Sequence, residues 1–253
     1  MAALRFGLTL VRHGETHYNK EGLLQGQTID APLSETGLQQ AEAAGRYLKD
    51  VTFSNVFVSD MLRAQQTAET IVKHNSSCSG LEISRDPLLK ERSFGVAEGG
   101  RVTDFKEMAK AAGQTLPGFT PPKGETQEQV KERVREFVEK MLQRMGDEHW
   151  HHSGEDEAWS PAVEGKPDDG LRGVPVHALV ITHGAYMREA VHYIVDELHC
   201  PLPVGSDRAH VLSLSPNTGM CRFILTVRKR LDDRFELSGI RCVFVHRGEH
   251  VRQ

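Results

Sequence analysis

A run of seven mostly apolar residues, Val176–Thr182, constrains the fold more than any other segment of this chain. Apolar side chains at consecutive positions, rather than at alternate ones, are typical of a central parallel strand that helices cover on both faces. Shorter strand-like runs at 4–11, 55–58 and 81–84 precede this segment and alternate with helical patterns. We therefore predict an α/β protein, a three-layer α/β/α sandwich with a mostly parallel central sheet.

The helical segments show apolar residues three and four positions apart. The strongest pattern runs from about Glu125 to Met145, and we expect its apolar stripe to be buried. Ser34 and either Ser59 or Asp60 precede two further helical patterns and have side chains that cap helix N-termini. The complete prediction has helices at about 34–48, 59–74, 105–112, 125–145 and 185–198, and closing strands at 211–214, 222–227 and 240–245.

One segment, residues 146–175, departs in composition from the rest of the chain. It has no apolar period, it is rich in glycine and proline, and residues 146–172 hold eight acidic residues and two basic ones. We expect a mobile acidic insertion here, within a single domain that spans residues 1–253. The formal net charge of the whole chain is −4, which gives no electrostatic reason to expect nucleic-acid binding.

Three further sequence features concern where the protein is found and whether it binds a metal. The four cysteines form no C-x-x-C pair and no zinc-site spacing, so we expect reduced thiols. No apolar run approaches the ~20 residues that span a bilayer, so we expect no transmembrane segment and a cytosolic protein. His149, His151 and His152 could bind a metal, but they lie in a polar loop beside Trp150, and we expect no metal site.

Three segments with reactive side chains follow predicted strands directly. They are residues 12–14 (Arg-His-Gly), 59–63 (which ends in an arginine) and 183–184 (His-Gly). In open α/β sheets, ligands bind beyond the carboxyl ends of the strands. The sequence therefore predicts that these three segments form one shared site.

His13 is the candidate nucleophile of this site. A neutral imidazole can attack phosphorus, and positive charge from a nearby arginine disfavours the imidazolium form. Gly14 lets the backbone approach an anion closely. For the Arg-His-Gly motif alone, a turn histidine whose ring is bound by backbone groups is an equally good interpretation.

Arg63 and His183 are candidate phosphate ligands. Arg63 lies in the first turn of its predicted helix, and with Arg12 it could clamp a phosphate through fork-shaped donors. The alternative is a surface arginine paired with Asp60. His183 could donate hydrogen bonds to the equatorial oxygens of a phosphoryl group, and the alternative is a buried histidine with only a structural role.

The combination and order of these motifs resemble the histidine phosphatase superfamily, also called the phosphoglycerate mutase-like family. That family has Arg-His-Gly near the N-terminus, an arginine after a middle strand, and a late His-Gly. The resemblance implies that His13 becomes a phosphohistidine and that Glu91 is the acid/base for the leaving alcohol. It implies no metal or organic cofactor. The phosphate pocket that it implies consists of Arg12, Asn19, Arg63, His183 and Gly184.

Glu91 is assigned by resemblance alone, because the segment 89–95 is similar to the family segment that carries the acid. The spacing of the residues does not distinguish Glu91 from Glu98 or Glu125. Without the resemblance, a solvated carboxylate paired with Arg92 is the preferred interpretation.

Several strings of residues resemble the fructose-2,6-bisphosphatases of this superfamily, namely 26–27, 32–37, 108–112, 119–126, 183–188 and 216–220. This resemblance implies a phosphatase that removes the 2-phosphate of fructose 2,6-bisphosphate and thereby lowers glycolytic flux. It also implies action on other small phosphate esters, such as 2,3-bisphosphoglycerate. Association with hexokinase and mitochondria, and a nuclear location, are implied by the resemblance only.

Two alternative functions and one question about the substrate stay open. Phosphoglycerate mutases share the core residues, but they usually carry an Arg-Arg-Ser stretch before a proline run, which residues 119–123 lack. A non-catalytic scaffold would usually have lost the nucleophile or a pocket arginine, and here those positions are competent. Lys123 and Arg101 either bind the second phosphate of the substrate or only solubilise the surface.

Overall fold

A computed structural model describes residues 1–155 and 163–252 and contains one six-stranded sheet with the strand order β3-β2-β4-β1-β5-β6. Strands β1 to β4 are parallel, whereas β5 is antiparallel to both of its neighbours, β1 and β6. The predicted, mostly parallel sheet is therefore confirmed. The strands are β1 Leu4–Arg12, β2 Asn55–Val58, β3 Ile83–Arg85, β4 Val176–Thr182, β5 Met220–Lys229 and β6 Phe235–Arg247.

Helices cover both faces of this sheet and give the predicted three layers. The helices are α1 His17–Lys20, α2 Glu35–Tyr47, α3 Leu62–His74, α4 Val102–Ala111, α5 Gln127–His149, α6 Gly184–His192 and α7 Arg208–Val211, and a π-helical turn, Tyr193–Glu197, continues α6. Within the described part of the chain, none of these helices is long and apolar enough to cross a membrane.

Strand β4 lies between β2 and β1, and all seven of its residues are buried. Val176, Ala178 and Val180 belong to the core that α5 and α6 share with the sheet. Leu179 and Ile181 belong to the core on the opposite face, which contains α2 and α3. The strand is thus apolar at consecutive positions because it is buried on both faces.

Helix α5 confirms the strongest helical prediction. Thr126 caps it, with its hydroxyl accepting from the backbone N–H of Gln129 while the Gln129 side chain accepts from the N–H of Thr126. This reciprocal pair satisfies two donors that would otherwise lack partners at the helix start. The predicted apolar stripe is buried throughout, at Val130, Val134, Phe137, Val138, Met141, Leu142 and Met145.

Two local predictions are wrong. The predicted strand 211–214 is the end of α7 and the turn after it, because Asp207 accepts from the N–H of Ala209 and starts a short helix instead. Neither Ser59 nor Asp60 caps α3, whose N-cap is Met61. Asp60 pairs instead with Lys90, with 2.6 Å between Nζ and Oδ1.

The predicted insertion at 146–175 carries specific contacts in its described parts. Helix α5 continues to His149, and Gly154 exchanges two backbone hydrogen bonds with Ala3. On the other side of the residues that are not described, Asp169 is buried and pairs with Arg247 at 2.8 Å. The mobility of the insertion and the single-domain organisation stay predictions.

Candidate active site

The three reactive segments meet at one edge of the sheet, beyond the carboxyl ends of the adjacent strands β2, β4 and β1. Backbone hydrogen bonds extend the strand pairing into these loops. The N–H of His13 donates to the carbonyl of Thr182 at 3.0 Å, and the N–H of Ser59 donates to the carbonyl of Ile181 at 3.1 Å. The predicted convergence of residues far apart in the sequence is therefore observed.

His13 is buried and its two ring nitrogens have different partners. Nδ1 lies 2.6 Å from the carbonyl oxygen of Gly14, which accepts its proton. The Nε–H of Arg63 points at Nε2 from 3.3 Å, so Nε2 carries the lone pair. Burial, with the positive charges of Arg63 and Arg12, holds the pKa of His13 well below its usual value. The ring is thus kept neutral, with its lone pair on Nε2.

Arg63 is a buried side chain held by backbone carbonyls. Its Nη1 donates to the carbonyl of Ile29 at 3.1 Å and its Nη2 to that of Gly26 at 2.9 Å. Burial lowers the pKa of Arg63 to about 10, against the opposing influence of Glu91 and other acids, so the side chain stays charged near neutral pH. The alternative of a surface arginine paired with Asp60 is excluded.

Arg12 reaches the same place from β1 and depends on a glycine. Its Nη1 donates to the carbonyl of Ser215 at 2.7 Å, and its buried Nε has no partner among the described residues. A Cβ atom built on Gly184 would lie 3.1 Å from Arg12 Cζ. Glycine at position 184 therefore lets the guanidinium lie against the start of α6.

His183 is fully buried, with its ring centroid 5.2 Å from that of His13. Its Nε2 lies 2.8 Å from the hydroxyl of Ser59, while its buried Nδ1 has no partner among the described residues. Burial and the charge of Arg63 hold the pKa of His183 well below its usual value. A second neutral imidazole thus lies next to the candidate nucleophile.

Glu91 lies at the N-terminus of α6, where backbone donors hold its carboxyl group. Oε2 accepts from the N–H of Ala185 at 3.0 Å, and Oε1 accepts from the N–H groups of Tyr186 and Arg92. The guanidinium of Arg92 does not pair with Glu91, because it donates to three backbone carbonyls, those of Pro117, Phe119 and Glu125. The solvated Glu91–Arg92 ion pair is therefore absent.

The other two acids that the sequence left open have structural partners. Glu98 accepts from the backbone N–H groups of Gln27, Thr28 and Phe94. Glu125 forms a two-pronged ion pair with Arg133. Glu91 is the one of the three that lines the cavity described below.

Asn19 joins the site through a residue that the sequence reasoning did not single out. Asn217 donates from Nδ2 to the backbone carbonyl of His13 at 3.1 Å and to Oδ1 of Asn19 at 3.3 Å. It lies in the turn directly before β5, and because β5 is antiparallel, that turn lies at the same edge as the carboxyl ends of β1 and β4. Asn217 could not be placed in the site from the sequence because local patterns do not give the direction of β5.

Most of the predicted site residues line a cavity of about 330 Å³, whereas His183 is fully buried behind His13 and is not among the lining residues. The cavity is lined by Arg12, His13, Asn19, Arg63, Glu91 and Gly184, together with apolar groups that include Phe94, Phe105 and Leu214. Three further cations, Arg92, Lys106 and Arg188, also line it, and of these Arg92 is already held by three backbone carbonyls. Neither Lys123 nor Arg101, the sequence candidates for the second phosphate, is among the lining residues.

The histidines near the end of α5 have protein partners instead of the geometry of a metal centre. Nε2 of His149 lies 2.7 Å from Oδ1 of Asn55, and the rings of His151 and His152 lie 4.1 Å apart. Within residues 1–155 and 163–252, no group of three or more histidine, cysteine or acidic side chains is placed to hold a metal ion.

Comparison with known proteins bears on the identity of this site. The sequence profile described as "Histidine phosphatase superfamily (branch 1)" matches residues 8–151, more than half of the chain. The chain belongs to the histidine phosphatase superfamily. The matched segment includes His13, Arg63 and Glu91.

Relatives within the superfamily extend over nearly the whole chain. The chain is 56% identical to the zebrafish (Danio rerio) protein named probable fructose-2,6-bisphosphatase TIGAR A, with 98% of this chain and 99% of the relative covered. It is 43% identical to bovine (Bos taurus) fructose-2,6-bisphosphatase TIGAR, with 89% and 90% covered.

Solved structures share the fold. The crystal structure of phosphoglycerate mutase from Bacillus anthracis matches with a TM-score of 0.67 and 22% identity, covering 99% of this chain and 96% of that one. A mycobacterial glucosyl-3-phosphoglycerate phosphatase matches with a TM-score of 0.62 and 21% identity, covering 92% and 97%. At this level of identity the likeness supports the phosphoglycerate mutase-like fold alone.

Proposed function

We propose that this histidine phosphatase hydrolyses the 2-phosphate of fructose 2,6-bisphosphate through a phosphohistidine at His13. The observation that carries the proposal is the pair of hydrogen bonds that leaves the lone pair of Nε2 beside Arg63. The names of the relatives that are 43–56% identical over almost the whole chain support the choice of substrate.

In the first step, the Nε2 lone pair of His13 attacks phosphorus and forms an N–P bond while the bond from phosphorus to the sugar oxygen breaks. Arg12 and Arg63 balance the charge of the phosphoryl oxygens, as guanidinium groups do in phosphoryl transfer. Glu91 gives a proton to the departing oxygen. The products are fructose 6-phosphate and the phosphoenzyme.

In the second step, a water oxygen attacks the same phosphorus and the N–P bond breaks, which returns the electron pair to Nε2. Glu91 takes the proton of the attacking water, so the residue regains what it gave in the first step. Inorganic phosphate leaves and no net change remains on the enzyme.

The rim of the cavity suits the second phosphate of the substrate. Arg188 is partly buried, its Nε has no partner among the described residues, and burial is the main cause that lowers its pKa. Lys106 is exposed on α4 and lines the same cavity. We assign the 6-phosphate to these two cations in place of Lys123 and Arg101.

The proposed substrate is tested by specificity constants measured side by side for fructose 2,6-bisphosphate, 2,3-bisphosphoglycerate and the monophosphoglycerates. We expect hydrolysis of the first two and no isomerisation of the last. Rapid interconversion of 2- and 3-phosphoglycerate with little release of phosphate would show a mutase. No turnover of any of these esters would favour a scaffold.

The role of Glu91 is tested by Glu91→Gln with two leaving groups. We expect kcat for fructose 2,6-bisphosphate to fall by about 10²–10⁴-fold, because the sugar oxygen needs a proton to leave. With p-nitrophenyl phosphate, whose phenolate leaves unprotonated, formation of the phosphoenzyme should slow much less in a rapid-quench experiment. An equal loss for both substrates in that step would remove Glu91 from the role of acid.

The location and partner implied by family resemblance extend this proposal. We propose a cytosolic enzyme that associates with hexokinase at mitochondria and also occurs in the nucleus. Fractionation of cells that express the tagged chain, followed by hexokinase detection after mild crosslinking, tests this part. A chain confined to other fractions with no hexokinase captured would contradict it, without bearing on the chemistry.

A further inference from the structure

Ser59 is a buried hydroxyl that the reaction described above does not use. It follows β2 directly and is fully buried. Its Oγ lies 2.8 Å from Nε2 of His183 and also accepts from the backbone N–H of Met61, at 3.3 Å. The Met61 bond occupies an acceptor site on Oγ, so the hydroxyl proton is available for the imidazole.

The two tautomers of His183 differ in how well they satisfy this hydroxyl. If Nε2 accepts the Ser59 proton, the ring carries its own proton on Nδ1. If Nε2 carries the proton instead, Oγ accepts twice and the hydroxyl proton has no acceptor among the described residues. The first tautomer leaves one buried group without a partner, the Nδ1–H, whereas the second leaves two, the Ser59 proton and the Nδ1 lone pair. Because buried polar groups are nearly always paired, the contacts favour the Nδ1–H tautomer.

The surroundings of Nδ1 indicate that its proton can be donated to a phosphoryl oxygen. Nδ1 is buried without a partner in the described part of the chain, and His13 lies next to the same ring. The charged side chains that act on His183 are cations, among them Arg63 and Arg12. A lone pair on Nδ1 would repel a phosphoryl oxygen drawn there by the arginines, whereas an N–H would donate to it.

We infer that Ser59 is a positioning residue that fixes His183 as the Nδ1–H tautomer, so that His183 donates to the phosphoryl group carried by His13. The inference rests on the phosphoryl transfer proposed above and not on which sugar carries the phosphate. Ser59 acts only through His183 and touches no substrate atom.

The tautomer is tested first, in the ligand-free enzyme, by ¹⁵N–¹H correlation spectra of the histidine side chains. His183→Gln identifies the signals of His183. We expect the proton on Nδ1 in the wild type and a mixture of tautomers in Ser59→Ala. A wild-type ring protonated on Nε2 would overturn the inference.

The kinetic consequence is tested with Ser59→Ala, Ser59→Thr and the control Thr182→Val. Thr182 is the neighbouring buried hydroxyl, but it donates to the carbonyl of Leu89 instead of the imidazole. Losing a whole donor to the transition state costs about 10²–10³ in rate, so loss of tautomer control should lower kcat by about 10- to 100-fold. KM should change much less, Ser59→Thr should restore most of kcat, and Thr182→Val should retain it.

The kinetics are measured with p-nitrophenyl phosphate and with fructose 2,6-bisphosphate. If the wild type turns over the first ester only, the substrate proposal fails, while the effect of Ser59→Ala on that ester still supports the inference. A Ser59→Ala enzyme with kcat within twofold of the wild type on p-nitrophenyl phosphate would overturn the inference and leave the substrate proposal intact.

Discussion

Two buried clusters of arginine and histidine lie against the same sheet, and they differ in whether their side chains line the cavity. The open cluster is the candidate active site, with Arg12, His13, Arg63 and His183. The closed cluster lies beneath the C-terminal part of the predicted insertion and consists of Thr9, Asp169, His177, Arg222 and Arg247.

The closed cluster is held together by hydrogen bonds and one ion pair between protein groups. The hydroxyl of Thr9 lies 2.7 Å from Nε2 of His177 and accepts from Nε of Arg222 at 2.9 Å. Nη1 of Arg222 donates to the backbone carbonyl of Asp169 at 3.0 Å, and the carboxylate of Asp169 pairs with Arg247 at 2.8 Å. Arg247 thus has a carboxylate partner, whereas Arg222 is held by a hydroxyl and backbone carbonyls and forms no ion pair among the described residues.

The open cluster differs because its two arginines, Arg12 and Arg63, line the cavity. Within the residues that the structure describes, neither Arg12 nor Arg63 forms an ion pair with a carboxylate, and both line the cavity. Yet burial and a nearby arginine hold the pKa of His13 and of His177 well below the usual value. A depressed histidine pKa thus marks both clusters, as does an arginine without an ion pair, and it is the cavity lined by Arg12, His13 and Arg63 that distinguishes the candidate site from a structural core.

The largest difference is expected between His13→Ala and His177→Ala. Removing the nucleophile should lower kcat by about 10⁴-fold or more while the thermal midpoint stays near that of the wild type. His177→Ala should instead lower the thermal midpoint, because it removes the bond to Thr9 and leaves a cavity against Phe53, with kcat retained. Circular dichroism melts and initial rates on both variants measure this, and equal kcat losses would erase the distinction.

Asp169→Ala tests how firmly the closed cluster is built. It leaves Arg247 buried without its carboxylate, so the free energy of unfolding should fall by about 3–5 kcal/mol. Activity per folded molecule should not change. Urea denaturation with Asp168→Ala, the neighbouring exposed acid, is the matched control. Equal stability of the two variants would show that the segment around Asp169 is only loosely attached.

Arg188→Gln tests the extent of the open cluster. Loss of one charge-assisted hydrogen bond to the 6-phosphate should lower kcat/KM for fructose 2,6-bisphosphate by about tenfold, mainly through KM. Turnover of p-nitrophenyl phosphate, which has no second phosphate, should change little. Arg101→Gln and Lys123→Gln, outside the cavity, are the controls, and the assignment fails if either one reproduces the effect.

The smallest expected effect is a pH dependence that both clusters share. His13, His177 and His183 have depressed pKa values in the folded state. Below about pH 6.5 these histidines are therefore protonated in the unfolded chain but stay neutral in the folded chain. Stability is therefore complete above that pH and falls as the pH decreases, by about 1.4 kcal/mol per pH unit for each such histidine. His177→Gln should make the slope of urea stability against pH shallower by that amount, and an unchanged slope would contradict its burial as a neutral ring.

Much of this arrangement could be predicted from the sequence because it depends on local pattern. The consecutive apolar residues of Val176–Thr182 predicted the central strand, and the motifs at strand ends predicted that His13, Arg63 and His183 converge. Glu91 needed family resemblance, because its place at the N-terminus of α6 is a tertiary contact that spacing does not encode.

The rest depended on information that no local pattern carries. Asn217 reaches His13 only because β5 runs antiparallel, and Arg188, on α6, lines the same cavity as Lys106, on α4, through tertiary structure that no local pattern encodes. Ser59 looked like a helix cap, since a serine before a helical pattern usually is one. The closed cluster went unnoticed because Thr9 and Arg222 lie on two strands more than 200 residues apart in sequence.

Rapid quenching with ³²P-labelled substrate tests the central claim most directly. Fructose 2,6-bisphosphate labelled in the 2-phosphate is mixed with the enzyme, quenched in base and digested for peptide mapping, with His183→Gln and His13→Ala run in parallel. We predict an acid-labile, base-stable label on His13, formed and discharged at rates that account for kcat, and absent from His13→Ala. Turnover without any labelled intermediate, or a label on a residue other than His13, would contradict the account.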